Sequence, residues 1–453
     1  MADQLSRRSF LQSAATAGGA FVLAPVLAAC GPAGRLAQRP TLEMWAFSET
    51  RTAWQQQGFQ QYYSKGDGRG TPMRYGGMFN LNFLVLPYSQ MHDKLMITTQ
   101  AGQGGPDIAD VEIGRYSQFI KGGTNAFVTL NDYIKEHGGT EQLFTGSATD
   151  PWSWQGTING LGNELNACAM AYRFDLYEKY GIQTPIKTYE AFAEAGKKLQ
   201  QDSGGKVHLI EFDPAGTGYW WPMTLQRGGG YFNAKGLPEW QQEAGVATAK
   251  YMQDALYKDR WALVAPASSN SLNAAFINGE DLTILGPSWK FSGFPQQSLK
   301  QTKGQWMVQP MPVWGNDPTS APTATWGGTG VCVPRSSPHR DMAVDFVLWE
   351  HFTPDAVLLD YRKRQVWPTL RKAWSAPELT APIPWFNNQK VGDVINAVAG
   401  KIPKWYNSPF WPEGTDAMTR VGWVPAMLGK QDPAQTFPAA AKQAESIISF
   451  ESA

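Results

Sequence analysis

Apolar and polar residues alternate from Thr41 to Phe47, the period of two expected of a half-buried strand. Phe83 to Leu86 reads as a second strand, and Asp93 to Ala101 as a helix carrying Leu95, Met96 and Ile97 among polar residues. The run Gly102-Gln103-Gly104-Gly105-Pro106-Asp107 breaks that helix, and Ile108 to Val111 resumes as a strand. This order predicts an α/β layer with parallel strands. The pattern then recurs. Ala167 to Tyr172 is strand-like, and Thr188 caps a helix with Tyr189, Phe192, Ala195, Gly196 and Leu199 on one face, stopped by Gly204-Gly205. Val207 to Phe212 is the next strand, and Pro238 opens a helix toward Tyr257. Ala274 to Gly279 is helical, Leu282 to Leu285 and Val331 to Val333 are strands, and the helix Asp341 to Phe352 buries Ala343, Phe346 and Val347. A last helix from Ala434 sets Phe437, Ala440, Ala441, Ala444 and Ile448 on one side and so docks on a core. With no short-period repeat, the expectation is two α/β lobes of similar size, each with its own sheet.

The N-terminus has a different character. Ser6-Arg7-Arg8-Ser9-Phe10-Leu11 is a twin-arginine export motif, and the apolar stretch Ala14 to Ala29 is too short and too rich in Gly and Ala to span a bilayer stably. Leu27-Ala28-Ala29-Cys30 resembles a lipobox, in which the cysteine sulfur takes up diacylglycerol and becomes the first mature residue. Residues 1–30 are thus expected to form the signal, 31–40 a polar linker, and the rest an extracytoplasmic body tethered by Cys30, since each buried lipid methylene contributes about 0.8 kcal/mol.

Charge changes the picture by exclusion. Of 453 residues, Lys plus Arg and Asp plus Glu number 39 each, without a long single-sign run, so neither nucleic acid nor an anionic membrane face is an expected partner. Five scattered histidines make no H-E-x-x-H pair and no metal-ligand spacing, and neither a G-x-S-x-G elbow nor a phosphate-binding loop occurs. Gly228-Gly229-Gly230 and Gly327-Gly328-Thr329-Gly330 do not open helices after strands as dinucleotide sites do. No cofactor or metal is expected, and the chain reads as a binder rather than an enzyme. The paired carboxylates of an exported glycoside hydrolase need only meet in space, so that class stays as the rival. Cys168 and Cys332 sit in short apolar runs and are either a disulfide or two buried thiols.

Nineteen tryptophans are the unusual number, and several stand beside Gly, Pro or another aromatic rather than on a helical stripe: Trp220-Trp221-Pro222, Gly286-Pro287-Ser288-Trp289, Trp326-Gly327-Gly328, Trp367-Pro368 and Phe410-Trp411-Pro412. As a set they suggest a site that stacks rings.

The order and spacing of segments resembles the family 1 extracellular solute-binding proteins of ABC importers, the maltose-binding-like carbohydrate group. The segments that carry the likeness run from Lys94-Leu95-Met96 through Ala101-Gly102-Gln103-Gly104-Gly105-Pro106-Asp107-Ile108, from Gly156 to Glu164, and from Ala171-Tyr172-Arg173 to Tyr189. Ala274-Ala275-Phe276-Ile277-Asn278-Gly279 leading to Gly286-Pro287-Ser288-Trp289, Gly327 to Pro334, and Asp341 to Phe352 complete it. Arg173-Phe174, the Gly-rich Tyr62 to Gly77 and the segment Lys401 to Pro425 depart from the family pattern. The resemblance implies a type II two-lobe clamp, with 41–165 plus 330–380 in one lobe and 166–329 plus 381–453 in the other. It implies a monomer that closes on a small neutral solute, a mono- or oligosaccharide, and hands it to the subunits of a membrane permease. A polyol or glycerol-phosphate type ligand is the alternative solute.

A sugar offers apolar C–H faces and a belt of hydroxyls, so its site needs ring platforms and in-plane polar groups. By family position the candidates are Phe47, Ser48, Glu112, Glu164 and Asn166 on one side. Trp220, Trp221, Trp289, Trp326, Gly327 and Gly328 face them, with Arg364, Trp367 and Trp411 completing the set.

Overall fold

The computed structural model describes residues 39–66, 73–121, 125–266 and 269–452; the twin-arginine run and Cys30 lie outside them. Two sheets organise the body 40–453. The first has the order Asn80–Val85, Thr41–Ala46, Ile108–Glu112, Thr329–Cys332, Gly160–Gly162. Its first three strands are parallel, joined by the helices Glu49–Gln61 and Tyr88–Ala101, as the strand and helix periodicities predict. Thr329–Cys332 then enters antiparallel between Ile108–Glu112 and Gly160–Gly162. The helices Glu49–Gln61 and Arg340–Phe352 bury Phe59, Phe346, Val347 and Trp349 against one face of this sheet. On the other face three glycines form a slot. A Cβ on Gly162 or Gly330 would stand 2.6 Å or less from the ring of Trp152, and one on Gly160 would meet its Cβ at 3.2 Å. That ring is buried and donates its Nε1–H to the carbonyl of Val111 at 3.1 Å.

The second sheet centres on Ala169–Arg173, flanked by Thr283–Gly286 and Trp306–Pro310, and is antiparallel throughout. The parallel expectation therefore holds for the first three strands of the first sheet and for the small pair Ile210–Phe212 with Ala262–Val264, but not for the second sheet: alternation reports which face a residue takes, not the direction of the neighbouring strand. The alternation itself is followed closely. Cys168, Met170 and Tyr172 enter one core with Tyr189, Phe192 and Trp220, while Ala167, Ala169 and Ala171 enter another with Phe276, Trp306 and Ile395. Thr188 caps Tyr189–Asp202 by accepting the Ala191 N–H at 3.1 Å. The final helix Pro433–Ser452 buries Phe437, Ala440, Ala441, Ala444 and Ile448 as its stripe requires.

One helix is shorter than its pattern. Pro238 bridges Phe232 instead of opening a helix, because Asn233 Oδ1 accepts the N–H groups of Lys235 and Leu237 and closes a tight turn. The helix starts only at Glu243. Cys168 and Cys332 are both buried and free. Among the described residues no helix is long and apolar enough to cross a membrane.

Candidate functional site

The antiparallel register pairs Thr329 with Glu112, so the glycines before Thr329 arrive beside the end of Ile108–Glu112, and the Ile113 N–H donates to the Gly328 carbonyl at 3.1 Å. Gly327 and Gly328 have φ of 66° and 133°, values that L side chains rarely adopt. A Cβ on Gly328 would lie 2.7 Å from Asn166 Nδ2, and one on Gly327 3.2 Å from the ring of Trp289. Glycine is what allows the returning strand, the crossing at Asn166 and the indole of Trp289 to converge.

Trp289 donates its Nε1–H to Asn166 Oδ1 at 3.1 Å, and its ring meets Trp326 at 5.9 Å and 65°. Trp326 in turn stands edge to face with Tyr219 at 5.4 Å, and Lys290 Nζ lies 4.3 Å from the centroids of both Tyr219 and Trp326. Below them Tyr219 donates its hydroxyl to buried Glu211 at 2.6 Å, and burial holds the Lys290 ammonium below the ordinary lysine range against the pull of Glu211. Trp289 and Trp326 are both half-buried, so part of each ring faces outward.

A second aromatic group belongs to the core rather than to an open surface, because Trp221, Tyr231 and Trp411 are all buried, so the candidates Trp221 and Trp411 offer no free ring face. Trp411 meets Trp221 at 5.5 Å and Tyr231 at 5.1 Å, and Tyr231 hydrogen-bonds Thr217 at 2.6 Å, next to Gly218, whose backbone lies against Trp326. An acid ends the strand Ile108–Glu112 of the first sheet. Glu112 Oε2 accepts the Gly114 N–H at 2.8 Å and the Tyr88 hydroxyl at 3.0 Å. Burial raises the Glu112 pKa, opposed by those two donors and by the charge and backbone N–H of Arg115. His92, buried under Phe47 at 5.1 Å, accepts the Glu112 N–H on Nε2 at 3.1 Å and donates Nδ1–H to the Tyr88 carbonyl at 2.7 Å. Burial depresses its pKa to about 4, so it is neutral at ordinary pH.

The remaining candidates are placed differently. Glu164 is buried and accepts from Arg51 at 2.8 Å and Arg364 at 2.7 Å, with Asp110 and Asp360 completing the network. Burial favours its neutral form, but the two guanidiniums hold its pKa below the usual carboxylate value. Asn166 is 1% exposed, its carbonyl committed to Trp289 and its amide to the Glu164 carbonyl. Trp220 and Trp367 have no exposed surface and satisfy their indole N–H groups on the carbonyls of Gly245 and Leu379. Ser48 hydrogen-bonds Thr50 at 3.1 Å, outside the aromatic wall. Tyr88, His92, Tyr219, Tyr231 and Lys290 join the site without a sequence signal of their own, except that Tyr219 and Lys290 adjoin selected tryptophans. What the arrangement offers is the partly exposed rings of Trp289 and Trp326, backed by buried aromatics, with the Glu112 carboxylate at the end of the neighbouring strand, groups suited to holding a ring-shaped polyol.

Residues 74–383 match the family model described as bacterial extracellular solute-binding protein. The chain is 29% identical over 311 residues to the arabinooligosaccharide-binding protein of Bacillus subtilis strain 168, covering 66% of this chain and 68% of that one. To the arabinooligosaccharide-binding protein of Halalkalibacterium halodurans it is 23% identical over 274 residues, 60% of either chain. Its backbone resembles that of an ABC-transporter-associated binding protein from B. animalis subsp. lactis Bl-04, solved with β-1,6-galactobiose. There the TM-score is 0.68 at 20% identity, over 91% of this chain and 97% of that one.

Proposed function

Because the chain belongs to the bacterial extracellular solute-binding proteins, a family of binders and not of enzymes, we propose that it captures an oligosaccharide and presents it to an ABC permease. The observation that carries the sugar reading is the pair of partly exposed rings of Trp289 and Trp326, 5.9 Å apart, with the Glu112 carboxylate at the end of the strand that pairs with Thr329. Rings cover the C–H face of a pyranose or furanose while the carboxylate takes its hydroxyls in plane. The two curated relatives favour pentose oligomers among the candidates. The lobes are 41–165 with 330–380 and 166–329 with 381–453, closing as a monomer around this wall. The twin-arginine run and Cys30 support export and a lipid anchor, which would keep the binder beside its permease.

Titration calorimetry of the purified chain against arabinooligosaccharides, maltooligosaccharides and galactobiose tests the reading. Saturable micromolar binding of one of them is the expected result. A flat response to all of them removes the carbohydrate assignment, and appearance of shorter products during incubation would reverse the ranking in favour of the hydrolase.

A further inference from the structure

Lys290 Nζ lies 4.3 Å from the ring centroids of both Trp326 and Tyr219, inside the roughly 6 Å over which an ammonium is drawn to an aromatic face. The same Nζ donates to the Tyr219 hydroxyl oxygen at 3.2 Å, and that hydroxyl donates to Glu211 at 2.6 Å. A continuous chain of contacts therefore runs from a buried carboxylate to the ring of Trp326. The backbone makes room for it. Gly286, at φ 147°, leaves the path of the Lys290 stem open, since a Cβ there would stand 2.6 Å from Lys290 Cδ. On Gly218 a Cβ would stand 2.8 Å from Trp326 Cζ2.

The charges around Nζ are one-sided. Glu211 on Ile210–Phe212 and Asp281 ahead of Thr283–Gly286 are buried, and both favour the ammonium. The Cys168 thiol, which burial keeps neutral, is the third group that faces it. Burial by itself favours the neutral amine, so the two acids are what oppose loss of the proton.

We propose that Lys290 is a positioning residue of the sugar site: its ammonium, held on Tyr219 and Glu211, fixes the ring of Trp326 at the angle a saccharide meets. What Asn166 does for Trp289 through a hydrogen bond, Lys290 does for Trp326 through charge on a ring face, and its effect on the ligand passes through that ring. An ordered platform binds more tightly than a free one, because less freedom is lost on association. The inference rests on the reading of Trp289 and Trp326 as sugar platforms and adds the side chain that orders the second of them.

The test compares Lys290→Met, which keeps an unbranched stem without charge, with Lys290→Arg, which keeps the charge. Each full chain is titrated calorimetrically with arabinooligosaccharides, maltooligosaccharides and galactobiose. Without ligand, the indole N–H of Trp326 is followed by NMR, its resonance assigned by its loss in Trp326→Phe. Lys290→Met is expected to broaden that resonance and to lose about five- to tenfold in affinity for the sugar that binds, and Lys290→Arg should recover most of both. A lysine that served stability alone would lower the urea midpoint and leave the affinity of the folded protein and the Trp326 line width unchanged. Wild-type affinity in Lys290→Met, an unbroadened Trp326 resonance, or Lys290→Arg no better than Lys290→Met would each overturn the proposal. Should Lys290→Met not fold, Tyr219→Phe, which removes the hydroxyl that holds Nζ and keeps the ring, is expected to broaden the same resonance and lose about threefold, and no change there overturns the proposal equally. If no sugar binds the wild type while the Trp326 resonance still broadens in Lys290→Met and sharpens in Lys290→Arg, the ring-ordering role stands and the carbohydrate reading is what fails.

Discussion

The indole N–H of Trp289 is held by Asn166 Oδ1 at 3.1 Å, which ties the outward ring of one loop to a residue 1% exposed at the crossing between the sheets. The ring is thereby aimed before any ligand arrives, and pre-organisation of this kind lowers the ordering cost of binding. Trp289→Ala should abolish oligosaccharide binding. Trp289→Phe keeps a stacking face but not the donor, and should lose about tenfold. Asn166→Ala, which leaves the ring and frees its angle, should fall between wild type and Trp289→Ala in calorimetry.

Trp220 and Trp367 should behave as core residues. Replacing either by alanine is expected to cost about 3–5 kcal/mol of stability. In urea unfolding both variants should show a lower midpoint. Affinity of the folded fraction for sugar should stay near wild type, whereas a primary loss of affinity at unchanged midpoint would make Trp220 or Trp367 a ligand platform.

Glu164 is a buried anion shared by two arginines, and removing one partner of such a set leaves uncompensated charge. Glu164→Gln should destabilise by about 3–5 kcal/mol. Its pKa is depressed in the folded state, so its contribution is present above the unfolded value, about 4.3, and is lost as pH falls through the folded one. The variant should therefore have a flatter stability profile than wild type in that acidic range, read by urea unfolding at successive pH values.

His92 and His351 are buried neutral, each with its pKa pushed by burial from 6.5 to about 4. The unfolded chain takes up these protons first, so stability should decline as pH falls from about 6.5 to about 4, by at most about 3 kcal/mol for each. Protonating His92 Nε2 also removes the acceptor for the Glu112 N–H. Sugar affinity of the folded protein is expected to fall only as pH approaches about 4, where folded His92 protonates, and His92→Gln, which can still accept there, should reduce that dependence.

Cys30→Ala should move the protein from the membrane to the soluble fraction of fractionated cells without changing its ligand affinity, because the anchor is chemically separate from the cleft.

Local pattern was enough for much of this chain. Alternation at Thr41–Ala46 and Ala169–Arg173, the cap at Thr188 and the stripe from Phe437 to Ile448 are read from the chain because each depends on neighbours within one element. The order of those elements also pointed to the solute-binding family. What only the tertiary structure decided is which aromatics are available. Trp221 and Trp289 both stand beside Pro or Gly in the sequence, yet Trp221 is buried edge-on against Trp405 and Trp411 while Trp289 keeps part of its surface exposed. Glu112 and Glu164 likewise look alike on paper. One ends a strand and is held by donors close by, Gly114 and Tyr88, and the other is held by Arg51 and Arg364, side chains 113 and 200 residues away. Burial and charge compensation are sums over neighbours brought in by folding, and no local period encodes them.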